Sequence, residues 1–415
     1  MLCCWSAGCG VPSSSPTDDA AAPDGPRVLT VTPRLPGALS PSAGEALVGE
    51  LPDDAPATAA GLAIAVDAGV LVAAERVEPS FPSITLAFTG DTLIHSPLVR
   101  RALRNGGGTA YDFVPMFAEV APIIGAVDLA ICHLETPIAP AGEELSTYPR
   151  YGVPSEVVAG IASAGYDRCS TASNHSLDRG VAGIDATVAA FDRYGLGQSG
   201  MATSPEGALP SIVSVGGISV AHLSYSYGFN GLRVPEDQPW RANEIDPDRV
   251  IADARAARAR GAQVVVVSLH WGDEGSPVVS DYQHTVAAAI TASGAVDLIV
   301  GHHAHVIEPI EVVNGVWVVY GLGDFLSNMP VADQWPASTQ DGVIVEVTIQ
   351  QHADGRFQVG RPVALPTWVD KDAGFVIRSV IDDLADPSTS AGLRGRLYAS
   401  LLRTRAVLGA YIPGM

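Results

Sequence analysis

Five apolar runs along this 415-residue chain are each followed by polar residues able to bind a cation or move a proton. The polar groups are Thr89-Gly90-Asp91, His133-Leu134-Glu135, Ser173-Asn174-His175 with Asp178 three residues on, His270-Trp271-Gly272-Asp273-Glu274, and Gly301-His302-His303-Ala304-His305. Six of the ten histidines belong to these groups, and three of those lie within four residues. Carboxylate oxygens, neutral imidazoles and a side-chain carbonyl form the donor set that a pair of hard-to-borderline divalent cations requires. Each residue alone has an ordinary explanation, since a strand-end Asp often caps a turn and a strand-end His often bonds backbone. Five such groups at the same end of five successive strands have no comparable local explanation. In an extended segment neighbouring side chains alternate faces, so His303 and His305 share a side and are preferred as ligands. His302 joins them only if Gly301 turns the backbone there.

The elements that must position these groups are legible in the apolar pattern. Residues 84–88, 129–131, 169–171, 218–223, 264–269, 298–300 and 316–320 read as buried strands. Helices fit between them: a segment capped by Ser155 and ending near Gly165, 181–194 closed by Gly195, 246–261 with Pro247 at its head, and 281–293 ending at Gly294. This rhythm predicts a layered α/β domain over 82–350 with helices on both faces. Ligands of such folds bind beyond the carboxyl ends of the strands, where the polar groups fall. Residues 343–349 and 357–363 read as a closing hairpin and 392–407 as an amphipathic helix, together an extension over 351–415 packed on the domain.

Composition bounds the chemistry. With 45 acidic and 24 basic residues the formal charge is -21, so no global positive field attracts nucleic acid. An anionic substrate must then be held by a local cation such as a metal. Five cysteines do not make a disulfide-stapled scaffold or a zinc pattern; Cys132 and Cys169 sit in apolar runs and are expected to pack in the core. Residues 1–81 read as a flexible tether. Within it Ser6-Ala7-Gly8-Cys9 matches the end of a bacterial lipoprotein signal, which predicts a lipidated cysteine, an upstream natural start and attachment to the outside of the cell membrane. Residues 57–74 are small and apolar, but Asp67 at their centre argues for a packed segment over a membrane span.

The motifs Gly90-Asp91, Leu134-Glu135-Thr136-Pro137, Asn174-His175-Ser176-Leu177-Asp178, His270-Trp271-Gly272 with Glu274, Gly301 to Val306, and Tyr320 to Phe325 occur in an order that resembles the CapA family of bacterial poly-γ-glutamate capsule synthesis proteins. The resemblance covers about residues 84–330. It implies the fold of calcineurin-like metallophosphoesterases: an α/β, four-layer α/β/β/α sandwich of two mixed sheets flanked by helices, with a dinuclear metal centre. Asp91, Glu135, Asn174, His270, His303 and His305 would then hold two divalent ions, drawn from Mn, Zn, Fe or Mg. His175 would be the general acid or transition-state donor, oriented by Asp178. Glu274 is a second acid/base candidate, or a partner that holds His270. His133 and Asp324 replace the asparagines usual in the family and put the ligand set in doubt at those positions.

Two cations about 3.5 to 4 Å apart lower the pKa of a shared water and stabilise a departing group. The resemblance therefore implies a metal-dependent hydrolase or transferase acting on a phosphoester or an anionic polymer, with membrane-bound capsule synthesis proteins as partners. The competing expectation is a non-catalytic metal-binding subunit that positions an anionic surface polymer. Arg100, Arg101 and Arg104, spaced along one helix, form a basic cluster able to contact such a chain.

Overall fold

The computed structural model describes residues 29–31, 81–330 and 335–414. Cys9, the segment 57–74 and nearly all of the expected tether lie outside the described residues. Among the described residues no helix is long and apolar enough to cross a membrane.

Alternation along the strands builds two separate core layers. In strand Ser83–Thr92, residues Ile84, Leu86 and Phe88 pack with Val264, Val266, Leu298 and Val300 of a second sheet. Ala87 of the same strand faces the other way, into a cluster with Leu98, Phe117 and Ile161 from helices. Across the second sheet Val265, Val267 and Leu269 meet Val250 and Ala254 of helix Pro247–Ala259 and Val286 and Ile290 of helix Asp281–Ala292. Strands covered on both faces need apolar residues at almost every position, which is why 264–269 reads as a near-continuous apolar run. The result is the expected sandwich of two sheets, each backed by helices.

Both sheets are mixed. One runs Leu29–Val31, Ser211–Val215, Ile218–Ser226, Val264–Trp271, Leu298–His303, Val316–Val319, Ile310–Val313 from edge to edge. The other runs Val376–Ser379, Val363–Asp370, Asp341–Gln351, Ser83–Thr92, Leu129–Leu134, Arg168–Ser170, Gly197–Ser199. The strands Ser83–Thr92, Leu129–Leu134 and Arg168–Ser170 are parallel, as are Ile218–Ser226, Val264–Trp271 and Leu298–His303, so their carboxyl ends deliver residues to one edge of each sheet.

The expected elements are present, with boundaries that change their meaning. Several strands run past their apolar cores, so Asp91, His133, His270, His302 and His303 are strand residues and not loop residues. Helix Gly180–Tyr194 ends at Gly195 with φ 72°, and helix Asp281–Ala292 starts with Ser280 and Gln283 capping each other's backbone. Ser155 stands at the start of helix Glu156–Ser163, but its hydroxyl makes no capping bond. Beyond residue 351 the chain contributes Val363–Asp370, hydrogen-bonded to Asp341–Gln351, so it completes the same sheet as well as packing on it. The hairpin pairs Ile349 with Val359, and helix Ala391–Leu408 seats Leu397 and Leu401 against Trp368 and Val380. Cys132 and Cys169 are buried as expected, yet they face each other in register with Cα atoms 4.4 Å apart and are joined as a disulfide.

Candidate metal centre

Two glycines allow the backbone to close around the site. A Cβ on Gly90 would lie 1.9 Å from the Gly323 carbonyl oxygen, and one on Gly301 would lie 1.8 Å from that of Tyr320. Any side chain there would push apart the strands that carry Asp91 and His302. With glycine in place, the Asp91 N–H donates to the Gly323 carbonyl at 2.9 Å, and Asp91 Oδ2 accepts the backbone N–H of His303 at 3.0 Å.

That last contact sits where the backbone turns. His303 has φ 91° and His305 φ 57°, both in the left-handed region, so the alternation expected for an extended segment does not hold. The expectation that His302 faces away is therefore corrected: its Nδ1 lies 3.4 Å from Asp91 Oδ1 while His305 Nδ1 lies 3.3 Å from Asp91 Oδ2. The turn falls on the histidines themselves and not on Gly301.

Glu135 occupies the middle. It is fully buried, its Oε1 is 4.0 Å from His270 Nε2 and 3.9 Å from His305 Nε2, and neither carboxylate oxygen has a hydrogen-bond partner among the described residues. Burial pushes its pKa well above the usual range, and the His305 imidazole opposes this less than burial drives it. An unpaired buried carboxylate is costly, and a cation removes that cost. Asp91 Oδ1 and His303 Nδ1 are likewise buried without a hydrogen bond among the described residues.

Burial keeps the His133, His270 and His303 rings neutral, with His303 pushed down to about 3, so each retains a lone pair for a cation or a donor. His305 differs. Burial lowers its pKa, but the Glu135 and Asp324 carboxylates raise it more, and its Nδ1 meets Asp324 Oδ1 at 2.9 Å. Four groups bring one ligand atom from each member within 4.8 Å of one another: Asp91, His133 and His270; Glu135, His270 and His303; Glu274, His303 and His305; Asp91, His305 and Asp324. These clusters could hold metal, and the residues present fit one.

Residues 85–329, more than half of the chain, match the family model of the bacterial capsule synthesis protein PGA_cap. The chain belongs to that family. The PGA biosynthesis protein CapA of Bacillus subtilis (strain 168) is 29% identical over 321 residues, which are 74% of this chain and 79% of that protein. The capsule biosynthesis protein CapA of Bacillus anthracis is 27% identical over 308 residues, 70% of this chain and 71% of its own. Among solved structures, the calcineurin-like phosphoesterase YfkN from Bacillus subtilis aligns over 79% of this chain and 97% of its own, at 14% identity and a TM-score of 0.40.

The fold of this PGA_cap chain brings the sequence-predicted residues to one place. Asn174 Oδ1 lies 3.1 Å from His270 Nε2. His175 lines a cleft of about 590 Å³ beside the centre, together with Tyr148, Tyr151, Glu274, His305 and Trp335. Its Nδ1 meets Asp178 Oδ2 at 2.7 Å, and the same oxygen accepts the Tyr151 backbone N–H at 2.7 Å, so the ring is held from behind. Glu274 does not hold His270. It is exposed on the cleft wall, with a carboxylate oxygen in the group formed with His303 and His305.

The basic cluster divides. Arg100 and Arg104 are exposed, and Arg100 donates to Ser96 Oγ at the cleft rim at 3.2 Å, while Arg101 is turned against Gly374. Sequence reasoning missed Tyr227, whose ring centre is 4.6 Å from that of His303, and His95, which lines the cleft and whose pKa burial pushes down to about 4. Tyr227 directly follows strand Ile218–Ser226, the same strand-end signal that marked the others. Nothing in the local sequence marks Tyr151.

Proposed function

We propose that this chain is a metal-dependent hydrolase or transferase of capsule polymer biosynthesis, of the poly-γ-glutamate kind named for its CapA relatives, acting outside the cytoplasm. The observation that carries this reading is the Glu135 carboxylate, buried without a donor between His270 and His305 and 3.9 to 4.0 Å from each. Asp91, Glu135, Asn174, His270, His303 and His305 would hold two divalent cations. Such cations polarise a phosphoryl or carbonyl oxygen and stabilise the charge that develops on it.

The rest of the work falls to the protein. The His175–Asp178 pair fixes the proton on Nδ1 and leaves Nε2 to deliver one to a leaving group. Tyr151, edge-on to His175 at 4.6 Å between ring centres, blocks rotation of that ring. Tyr148 and Trp335 line the cleft and offer aromatic surface to a substrate. On a chain with formal charge -21, an anionic polymer or phosphoester is drawn to the cations and to Arg100 at the rim, and not to the protein as a whole. The same charge gives nucleic acid no global attraction, and membrane-bound capsule synthesis proteins are the partners this reading implies.

The test is metal analysis of the purified chain together with turnover on a panel of phosphoester and γ-glutamyl substrates. Two equivalents of metal and turnover on one class support the reading. Bound metal with no turnover on either class overturns it in favour of a non-catalytic accessory subunit.

A further inference from the structure

His133 is the residue of the centre whose role is least obvious, because it shares a potential cation group with Asp91 and His270 yet already has two partners. It stands in register with Ser170 on the neighbouring parallel strand and with Asp91 on the other side. Its Nδ1 is 2.8 Å from Ser170 Oγ, its Nε2 is 3.1 Å from His270 Nδ1, and Ser170 Oγ lies 3.3 Å from the Cys132 carbonyl oxygen. All of these groups are buried.

With the single proton of Ser170 placed on the Cys132 carbonyl at 3.3 Å, which only accepts, the direction of every other bond in this chain follows. The Ser170 oxygen then accepts from His133 Nδ1–H, which leaves His133 Nε2 as an acceptor. His270 must therefore donate through Nδ1–H, and its lone pair is on Nε2. That nitrogen is the one facing Asn174 Oδ1 at 3.1 Å and Glu135 Oε1 at 4.0 Å. With Asn174 placed oxygen-first, two acceptors confront each other there, which a shared cation reconciles. Stacking holds the His133 plane: its ring lies 4.1 Å from that of His302 with an interplanar angle of 11°.

We propose that His133 is a positioning residue: through the chain His270–His133–Ser170–Cys132 it fixes the His270 tautomer so that Nε2 is presented to a cation. It is not itself a ligand. The inference rests on the metal-centre reading for its purpose, but the tautomer it specifies exists with or without metal.

Two readouts separate the failure of this inference from the failure of that reading. Long-range ¹H–¹⁵N NMR of the histidine-labelled full chain, metal-free, is expected to show His270 and His133 both protonated on Nδ1. Protonation of His270 on Nε2 overturns the proposal whatever the protein does with metal. Calorimetric titration with Mn²⁺ or Zn²⁺ is expected to show affinity falling by about 10- to 100-fold in His133→Leu. His133→Gln, whose side-chain oxygen reaches the place of the imidazole Nε2 and accepts from His270 Nδ1–H, is expected to stay within about 3-fold of the unaltered chain. Should His133→Leu fail to fold, Ser170→Ala serves, with its His133 ring free to take the other tautomer and a smaller loss of affinity. Unaltered affinity in both His133→Leu and Ser170→Ala, or one equivalent of metal lost in His133→Gln, overturns the proposal; the second outcome would make His133 a ligand.

Discussion

The two sides of the centre back their imidazoles differently. His270 is held by a neutral chain through His133 and Ser170 to a carbonyl oxygen, whereas His305 is held by the Asp324 carboxylate, which itself accepts from Ser327 Oγ at 2.5 Å. Both arrangements turn Nε2 inward, toward the same Oε1 of Glu135. They leave different charge behind. An imidazole bonded to a carboxylate becomes a stronger base, and Asp324 adds a carboxylate on the His305 side, while Asp91 reaches both sides. The His270 side offers Asn174, His303 and a neutral ring. Orientation therefore needs no charge, and on the proposed reading the Asp324 charge would tune which cation the His305 side prefers.

The most severe way to test this division is to remove what the sides share. Glu135→Gln is expected to abolish metal retention on both sides and with it any turnover, read as metal content after dialysis; retention of a full complement would refute the central place given to Glu135. His175→Ala lies outside both sides. It should reduce turnover by about 10²- to 10⁴-fold while metal content stays unchanged, and a parallel loss of metal would show that His175 belongs to the ligand set.

Asp324→Asn addresses one side only. The amide can still accept from His305 but carries no charge, so one of the two proposed cations should bind about 10- to 100-fold more weakly while the other is unaffected, resolved by titration as a split isotherm. Equal weakening of both would remove the distinction between the sides.

The effect most remote from the centre's chemistry concerns Glu308, three residues beyond His305. Burial pushes its pKa up to about 8, and the Gln283 amide donating to it at 2.6 Å offsets only part of that. The folded state thus holds this proton more tightly than the unfolded chain. Stability from it is complete below pH ~4.5 and is lost as pH rises to about 8, with a slope of up to about 1.4 kcal/mol per pH unit. Glu308→Gln does not titrate, so its melting temperature relative to the unaltered chain should rise from pH 5 to pH 8.5. A difference independent of pH would place the charge elsewhere.

Much of the scaffold was legible because each strand is covered on both faces and so reads as an apolar run, and because Gly195, Pro247 and Gly294 punctuate the helices. The candidate ligands were legible for a related reason: where an apolar run stops and donors begin, the strand has reached the edge of the sheet. Tyr151 and His95 were not, since each enters the cleft through a partner distant in the chain, Asp178 for one and the Asn328 N–H for the other.

By itself the sequence determined which residues are donors and which strand ends carry them, because residue type and a period of two are local properties. The tertiary structure alone decided that His302 joins His303 and His305 at the site and that His133 faces His270. Those outcomes depend on backbone turns and hydrogen bonds made across the fold. The His303 N–H finds Asp91 212 residues away, and His133 finds His270 137 residues away. No local pattern contains that information, since a side chain's direction follows from φ and ψ, and here the partners brought in by the two sheets accompany those angles.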